Sequence, residues 1–160
     1  MIVECQSVEL TAQQKSNLGT GFSPVRARLL QVGNRYPVLG LQYDVASILW
    51  GTGAWIQVPI ARDRLIFAPL YLFEITDPRP SRHWQVKQWP DGALTLWPLS
   101  FYRNYYHGDL EARVQEVIED FSRVLDEILD EIAGEETKDL ASDGRRRSTF
   151  EWPASEQETP

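Results

Sequence analysis

The residues with the most distinctive spacing are carboxylates. Glu116, Asp120, Glu127 and Glu131 follow one another in steps of four, seven and four, and Glu119, Asp126 and Asp130 run beside them. On a helix those steps place each set on one stripe. Two readings of such a ridge stand: a solvated face that keeps the chain soluble, or a docking surface that attracts a basic partner through complementary charge. Read either way as an exposed ridge, the four carboxylates are expected to be dispensable for folding. Metal catalysis by them is disfavoured, because catalytic metals sit in shaped, partly dry pockets and not on a convex face.

Nucleophilic chemistry would have to come from Cys5, His83 or His107. A nucleophile, a base and an orienting group must lie within hydrogen-bond reach of one another, and nothing in the spacing of these residues supports that arrangement. There is no nucleophile elbow, and no glycine-rich phosphate loop opens a helix. Gly51-Thr52-Gly53 lacks the remainder of a nucleotide fingerprint. A single cysteine cannot make an internal disulfide, and no set of thiols and imidazoles has zinc-site spacing. The expectation is a chain with no catalytic residue, no cofactor and no metal.

Aromatic residues are the other notable stock. Six tryptophans, Trp50, Trp55, Trp84, Trp89, Trp97 and Trp152, fall largely within strand-like segments, where core packing is their ordinary use. Any left exposed would suit a partner surface, since Trp, Tyr and Arg are enriched where binding energy concentrates. Tyr102, Arg103, Tyr105 and Tyr106, next to Phe101, are either a packed connection or part of such a surface.

The elements that would position these residues can be read from periodicity. VRARLLQV from Val25 alternates apolar and polar, and Gly33-Asn34 supplies a tight connection to YPVLGLQY, which predicts a hairpin with Pro37 at a strand start or an edge. A second hairpin is expected around Gly51 and Gly53, and IFAPLYLFEI reads as a buried strand interrupted near Pro69. HWQVKQW and ALTLW flank Pro90-Asp91-Gly92, a tight-turn sequence, so they predict a hairpin with Trp84, Val86, Leu94 and Leu96 on one face. From Asp109 the period lengthens: Leu110, Val114, Val117, Ile118, Phe121, Leu125, Ile128 and Ile132 form the buried stripe of a helix. Asp109 is its expected cap and Gly134 its expected stop, which gives a helix over 109–133. The fold expected is α+β, a twisted or barrel-like antiparallel sheet with one long C-terminal amphipathic helix packed on it. Residues 1–134 form its single domain, and the polar, acidic stretch 135–160 is expected to be a largely disordered tail in which Phe150 and Trp152 are the possible anchors.

Charge is unevenly divided. Residues 1–108 hold ten Lys or Arg against seven acids, whereas residues 109–133 hold two against nine, within a net charge of −7. Such a C-terminal surface repels phosphates, so direct nucleic-acid binding is disfavoured. The first fifteen residues lack a secretory pattern and no run has the length of a membrane span, so the expectation is a cytoplasmic chain without a membrane partner.

The stretch from Ala68 to Phe121 runs APLYLFEITDPRPSRHWQV, a Pro-Asp-Gly hairpin, then WPLSFYRNYYHGDLEARVQEVIEDF. It resembles small bacterial immunity-protein-like domains of toxin–immunity loci. The resemblance is one of pattern, in a Leu-Phe-Glu segment, an Asp/Pro linker, a Trp-led strand and an aromatic segment before a Gly-Asp helix start. It implies a protein that binds and neutralises a partner protein, such as a basic toxin or effector, and carries no catalytic residues with it. The alternative is a structural or adaptor subunit of a larger assembly, and the third reading is an enzyme with an unrecognised site. Glu116, Asp120, Glu127, Glu131, Tyr102, Arg103, Tyr105 and Tyr106 are the expected contact residues.

Overall fold

The computed structural model describes residues 1–143, with side chains described as far as residue 134. The expectation for the tail lies, beyond Asp143, outside the described residues. Eight strands are present among them: β1 (Ile2–Cys5), β2 (Arg35–Pro37), β3 (Gly40–Ser47), β4 (Gly51–Ala61), β5 (Arg64–Pro69), β6 (Phe73–Asp77), β7 (Trp84–Gln88) and β8 (Leu94–Pro98). Four helices accompany them: α1 (Ala12–Ser16), α2 (Pro24–Ala27), α3 (Tyr106–Glu111) and α4 (Gln115–Asp143). The class is α+β, as its sequence implies.

The strands form two antiparallel sheets, neither of them closed: a three-stranded sheet ordered β2-β1-β6 and a five-stranded sheet ordered β5-β4-β3-β8-β7. The chain passes from one to the other through Val38 and Leu39, whose amides bond Met1, just ahead of β1, and Gln57 in the large sheet. The five-stranded sheet contributes to two cores. On one face Ile56, Val58, Ile66 and Ala68 pack with Val3, Cys5 and Tyr36 of the small sheet. The second core joins Val117, Phe121, Leu125, Ile128 and Ile132 of α4 to Leu39, Phe101 and Leu110. Full burial of side chains this large is worth roughly 1.5–3 kcal/mol each before entropy is charged.

Three local expectations are corrected. VRARLLQV is not a strand. Ser23 accepts a hydrogen bond from Arg26 N at 3.3 Å and Pro24 occupies the first helical position, so the segment opens as α2, with Val25 and Leu29 exposed. Gly33 does adopt positive φ (84°), but the Gly33–Asn34 backbone bonds Cys5, joining the end of β1 instead of a hairpin partner. The helix expected over 109–133 is two helices. Arg113 at φ 62° breaks the path between α3 and α4 and its guanidinium reaches Asp63 at 2.6 Å. Val114, expected on the buried stripe, is 42% exposed at this break, Asp109 lies inside α3 instead of capping it, and α4 continues through Gly134 to Asp143.

The remaining hairpins hold. β7 and β8 pair around Pro90–Gly92, with Gly92 at φ 89°, and Val86 faces Leu96 in register. β3 and β4 pair around a turn at Ile48–Trp50, just before the glycines. A side chain at Gly51 would sit 2.1 Å from the Asn17 carbonyl, which explains a glycine there. β5 ends at Pro69 and a 3-10 turn, Leu70–Leu72, separates it from β6. β2 is an edge strand, so Pro37 is at an edge.

Candidate functional site

Strand alternation places Trp55 and Gln57 of β4, Gln42 and Asp44 of β3, Phe67 of β5 and Thr95 of β8 on the helix-facing side of the large sheet. Helix α4 covers only one end of this side. Over the rest lie the 3-10 turn Leu99–Tyr102 and α3, leaving two adjoining hollows that share Trp89, Trp97 and His107 as a common wall. One, of about 470 Å³, is lined by Gln42, Asp44, Trp50, Phe67, Asp91 and Thr95. The other, of about 250 Å³, is lined by Phe101 and the run from Tyr102 to Tyr106.

The wall is aromatic throughout. Trp50 stacks on Phe67 at 5.2 Å, Trp97 stacks on Tyr102 at 5.2 Å, and His107 meets Phe67 and Trp97 edge-on at 5.0 and 5.2 Å. His107 Nε2 lies 3.3 Å from Gln57 Oε1. Burial lowers the imidazole pKa to about 4, so it is neutral at pH 7. Asp44 is 3% exposed, and its Oδ2 accepts a 2.6 Å hydrogen bond from Gln42 Nε2. Burial pushes its carboxyl up, Gln42 opposes that, and the neighbouring charge of Asp91 adds to the rise. The arrangement offers a buried acceptor on a polar floor between flat rings, which suits a polar or cationic group laid against them.

The sequence-predicted contact residues separate into two kinds. Tyr105 is 84% exposed at the rim of the smaller hollow, and Arg103 beside it pairs with Glu116, itself 83% exposed, at 3.2 Å while lying over the Tyr106 ring. These three come together at one place. Tyr102 is instead a structural pin. Its hydroxyl lies 2.8 Å from the Gln85 carbonyl and 3.1 Å from that of Thr95, and it accepts from Trp97 N at 3.3 Å. Tyr106 is buried and donates to Asp120 at 2.9 Å; burial, then Asp120, push its hydroxyl pKa upward.

The carboxylate stripe is therefore not one free ridge. Asp120 is largely covered and pairs with Arg123 at 2.5 Å. Burial alone would raise its pKa, but hydrogen bonds led by that from Arg123 hold it below the usual carboxylate range. Glu127 takes the other nitrogen of Arg123 at 2.7 Å and lies 3.7 Å from His83. Glu131, its side chain 8% exposed, accepts from Ser81 Oγ at 2.6 Å and Arg82 N at 2.9 Å, tying the loop before β7 to α4. The expectation of an exposed ridge is thus corrected for Asp120 and Glu131.

Sequence reasoning missed the Gln42–Asp44 hollow. Its only signal was the alternation of Gln42 and Asp44 with Leu41 and Tyr43, which by itself reads as a solvent face. The three candidate catalytic side chains stay apart: Cys5 is sealed in the core with its thiol pushed up by burial, His83 sits beside Glu127, and no hydrogen bond joins either to His107. Among the described residues no group of three or more His, Cys, Asp or Glu is placed to hold a metal, and no helix is long and apolar enough to cross a membrane. Comparison with protein-family models, with curated proteins and with solved structures finds no significant match.

Proposed function

We propose that the chain is a non-enzymatic protein-binding module of the immunity or inhibitor type, a cytoplasmic protein that binds and blocks a basic partner protein. The observation that carries this is Tyr105. It is 84% exposed, held at φ 63°, and stands with Arg103 on the rim of an aromatic hollow. A left-handed conformation costs a non-glycine residue roughly 1–2 kcal/mol, and an exposed ring returns little of that to the fold. Aromatic and arginine side chains grouped around a pocket are what anchors a partner. Glu116, Glu119, Asp126 and Asp130 are exposed along α4 and supply a field that steers a basic surface toward it. The same field disfavours nucleic acid.

The test is co-expression with the products of flanking genes, followed by size-exclusion chromatography and titration of the isolated pair. A stoichiometric complex weakened at least about tenfold by Tyr105→Gly with Arg103→Ala is expected, as loss of an anchor pair implies. A complex indifferent to that change sinks the reading.

A second reading, a structural or adaptor subunit, is favoured by the opposite side of the sheet. Tyr43 and Leu94 face each other there, with Val45 and Val86 beside them, all exposed, next to the unpaired outer edge of β7. An uncovered apolar patch at a free edge is a docking feature too. In that case Val86→Asp, not the Tyr105 change, breaks the complex.

A further inference from the structure

The larger hollow has a feature that partner binding through Tyr105 and Arg103 does not use. Asp44 is almost wholly buried, yet it lines a hollow of about 470 Å³. Gln42 occupies Oδ2, while Oδ1 has no hydrogen-bond donor and no Lys or Arg pairs with the carboxylate among the described residues. A second carboxylate, Asp91, lines the same hollow, its Oδ1 taken by Ala93 N at 3.1 Å. Asp91 is exposed to water at the rim, which leaves the covered Asp44 as the carboxylate that a cation would have to match. Among the described residues none supplies it: His107 is neutral, and Lys87 is laid over the Trp89 and Tyr102 rings at 3.7 and 5.3 Å. Trp50, Trp89 and Trp97 present the ring surfaces that attract ammonium and guanidinium groups, as Lys87 over Trp89 already illustrates.

We infer that this hollow is a cation site that takes an arginine or lysine side chain of the partner, with Asp44 as its counter-ion and the tryptophan rings as its walls. The inference rests on the partner reading for the source of the cation and adds to it what the partner must present. A basic side chain inserted here would be a charge-assisted contact shielded from water, the kind that dominates an interface.

The experiment uses the full chain with indole-¹⁵N-labelled tryptophan and N-acetyl-arginine amide as probe, with N-acetyl-citrulline amide as the neutral match, at constant pH and ionic strength. Saturable shifts of the Trp89 and Trp97 indole signals are expected with the arginine probe. They should be weaker by about tenfold or more with citrulline, and in Asp44→Asn, as loss of one charge-assisted contact predicts. Trp89→Leu, which leaves the carboxylate intact, should weaken the response as well and serves if Asp44→Asn does not fold. Equal responses to arginine and citrulline, or no response, would overturn the assignment. So would a hexose that shifts the same signals while the cations do not, which would make this a sugar site. A markedly tighter response to spermidine than to the arginine probe would replace the protein side chain with a free polyamine. Because the probe is a small molecule, its failure leaves the complex at Tyr105 standing. A chain that binds the probe through Asp44 and forms no protein complex sinks the partner reading alone.

Discussion

Glu131→Ala separates a structural carboxylate from a solvated one. The Glu131 side chain is 8% exposed and holds Ser81 Oγ at 2.6 Å and Arg82 N at 2.9 Å. Truncation removes two bonds to a charged acceptor and leaves the Ser81 hydroxyl, on a residue 7% exposed, without its acceptor. An orphaned buried donor costs about 1–3 kcal/mol, while the Arg82 amide, on an exposed residue, regains water, so a loss of about 2–3 kcal/mol is expected. Glu131→Gln keeps the shape and one acceptor and should lose about 1 kcal/mol, the value of the missing charge. Asp126→Ala is the control: it faces Arg62 at 2.8 Å with both side chains more than half exposed, and its loss should stay within about 1 kcal/mol. Urea unfolding followed by tryptophan fluorescence reads all three, with equal m-values as the check that the denatured state is unchanged. Heating should lower Tm by about 2–4 °C for each kcal/mol lost. A Glu131→Ala variant no less stable than Asp126→Ala would refute the reasoning and return the whole stripe to solvent.

Tyr102→Phe removes the hydroxyl that meets the carbonyls of Gln85 and Thr95, and should cost about 1–3 kcal/mol in urea unfolding. Tyr105→Gly should leave stability unchanged or raise it by up to about 1 kcal/mol, because glycine accepts the φ of 63° freely. His107 has a folded pKa lowered to about 4 from 6.5, so its contribution is full above pH 6.5 and is lost as pH falls toward 4. Asp44, with its carboxyl raised, acts with the opposite sign, losing stability as pH rises, so the comparison must be wild type against His107→Gln. The wild type should lose up to about 1.4 kcal/mol more per pH unit across that window, and parallel pH curves would contradict the buried neutral imidazole.

What the sequence disclosed follows from what is local. The β7–β8 hairpin was legible because Pro90-Asp91-Gly92 specifies its own turn, and most of α4 was legible because Val117, Phe121, Leu125 and Ile128 repeat along one buried face. α2 was lost to an alternation in VRARLLQV, although Ser23-Pro24 was the stronger helix signal. The break at Arg113 has no local cause, since Ala112, Arg113 and Val114 all tolerate a helix. It is associated with a tertiary contact to Asp63 between β4 and β5. Nor could periodicity foresee that Glu131 would be covered by Ser81 and Arg82 from 50 and 49 residues away. The Asp44 hollow is a matter of register: Gln42 opposite Thr95 and Trp55, and Phe67 opposite Gln57, become one surface only once four strands are paired. The contact segment around Tyr105 and Arg103 was visible as composition, but which of its rings face outward depends on the positive φ of Tyr105 and the pinning of Tyr102.

Hydrogen–deuterium exchange on the isolated complex tests the central claim most directly. Backbone amides of the turn and helix from Ser100 to Asp109 and of the hairpin around Trp89 should gain protection on binding, while Tyr43–Val45 and the outer edge of β7 keep their free-state exchange. Protection confined to Tyr43–Val45 and β7, with the Tyr105 segment unchanged, would contradict the account and place the partner on the opposite face of the sheet.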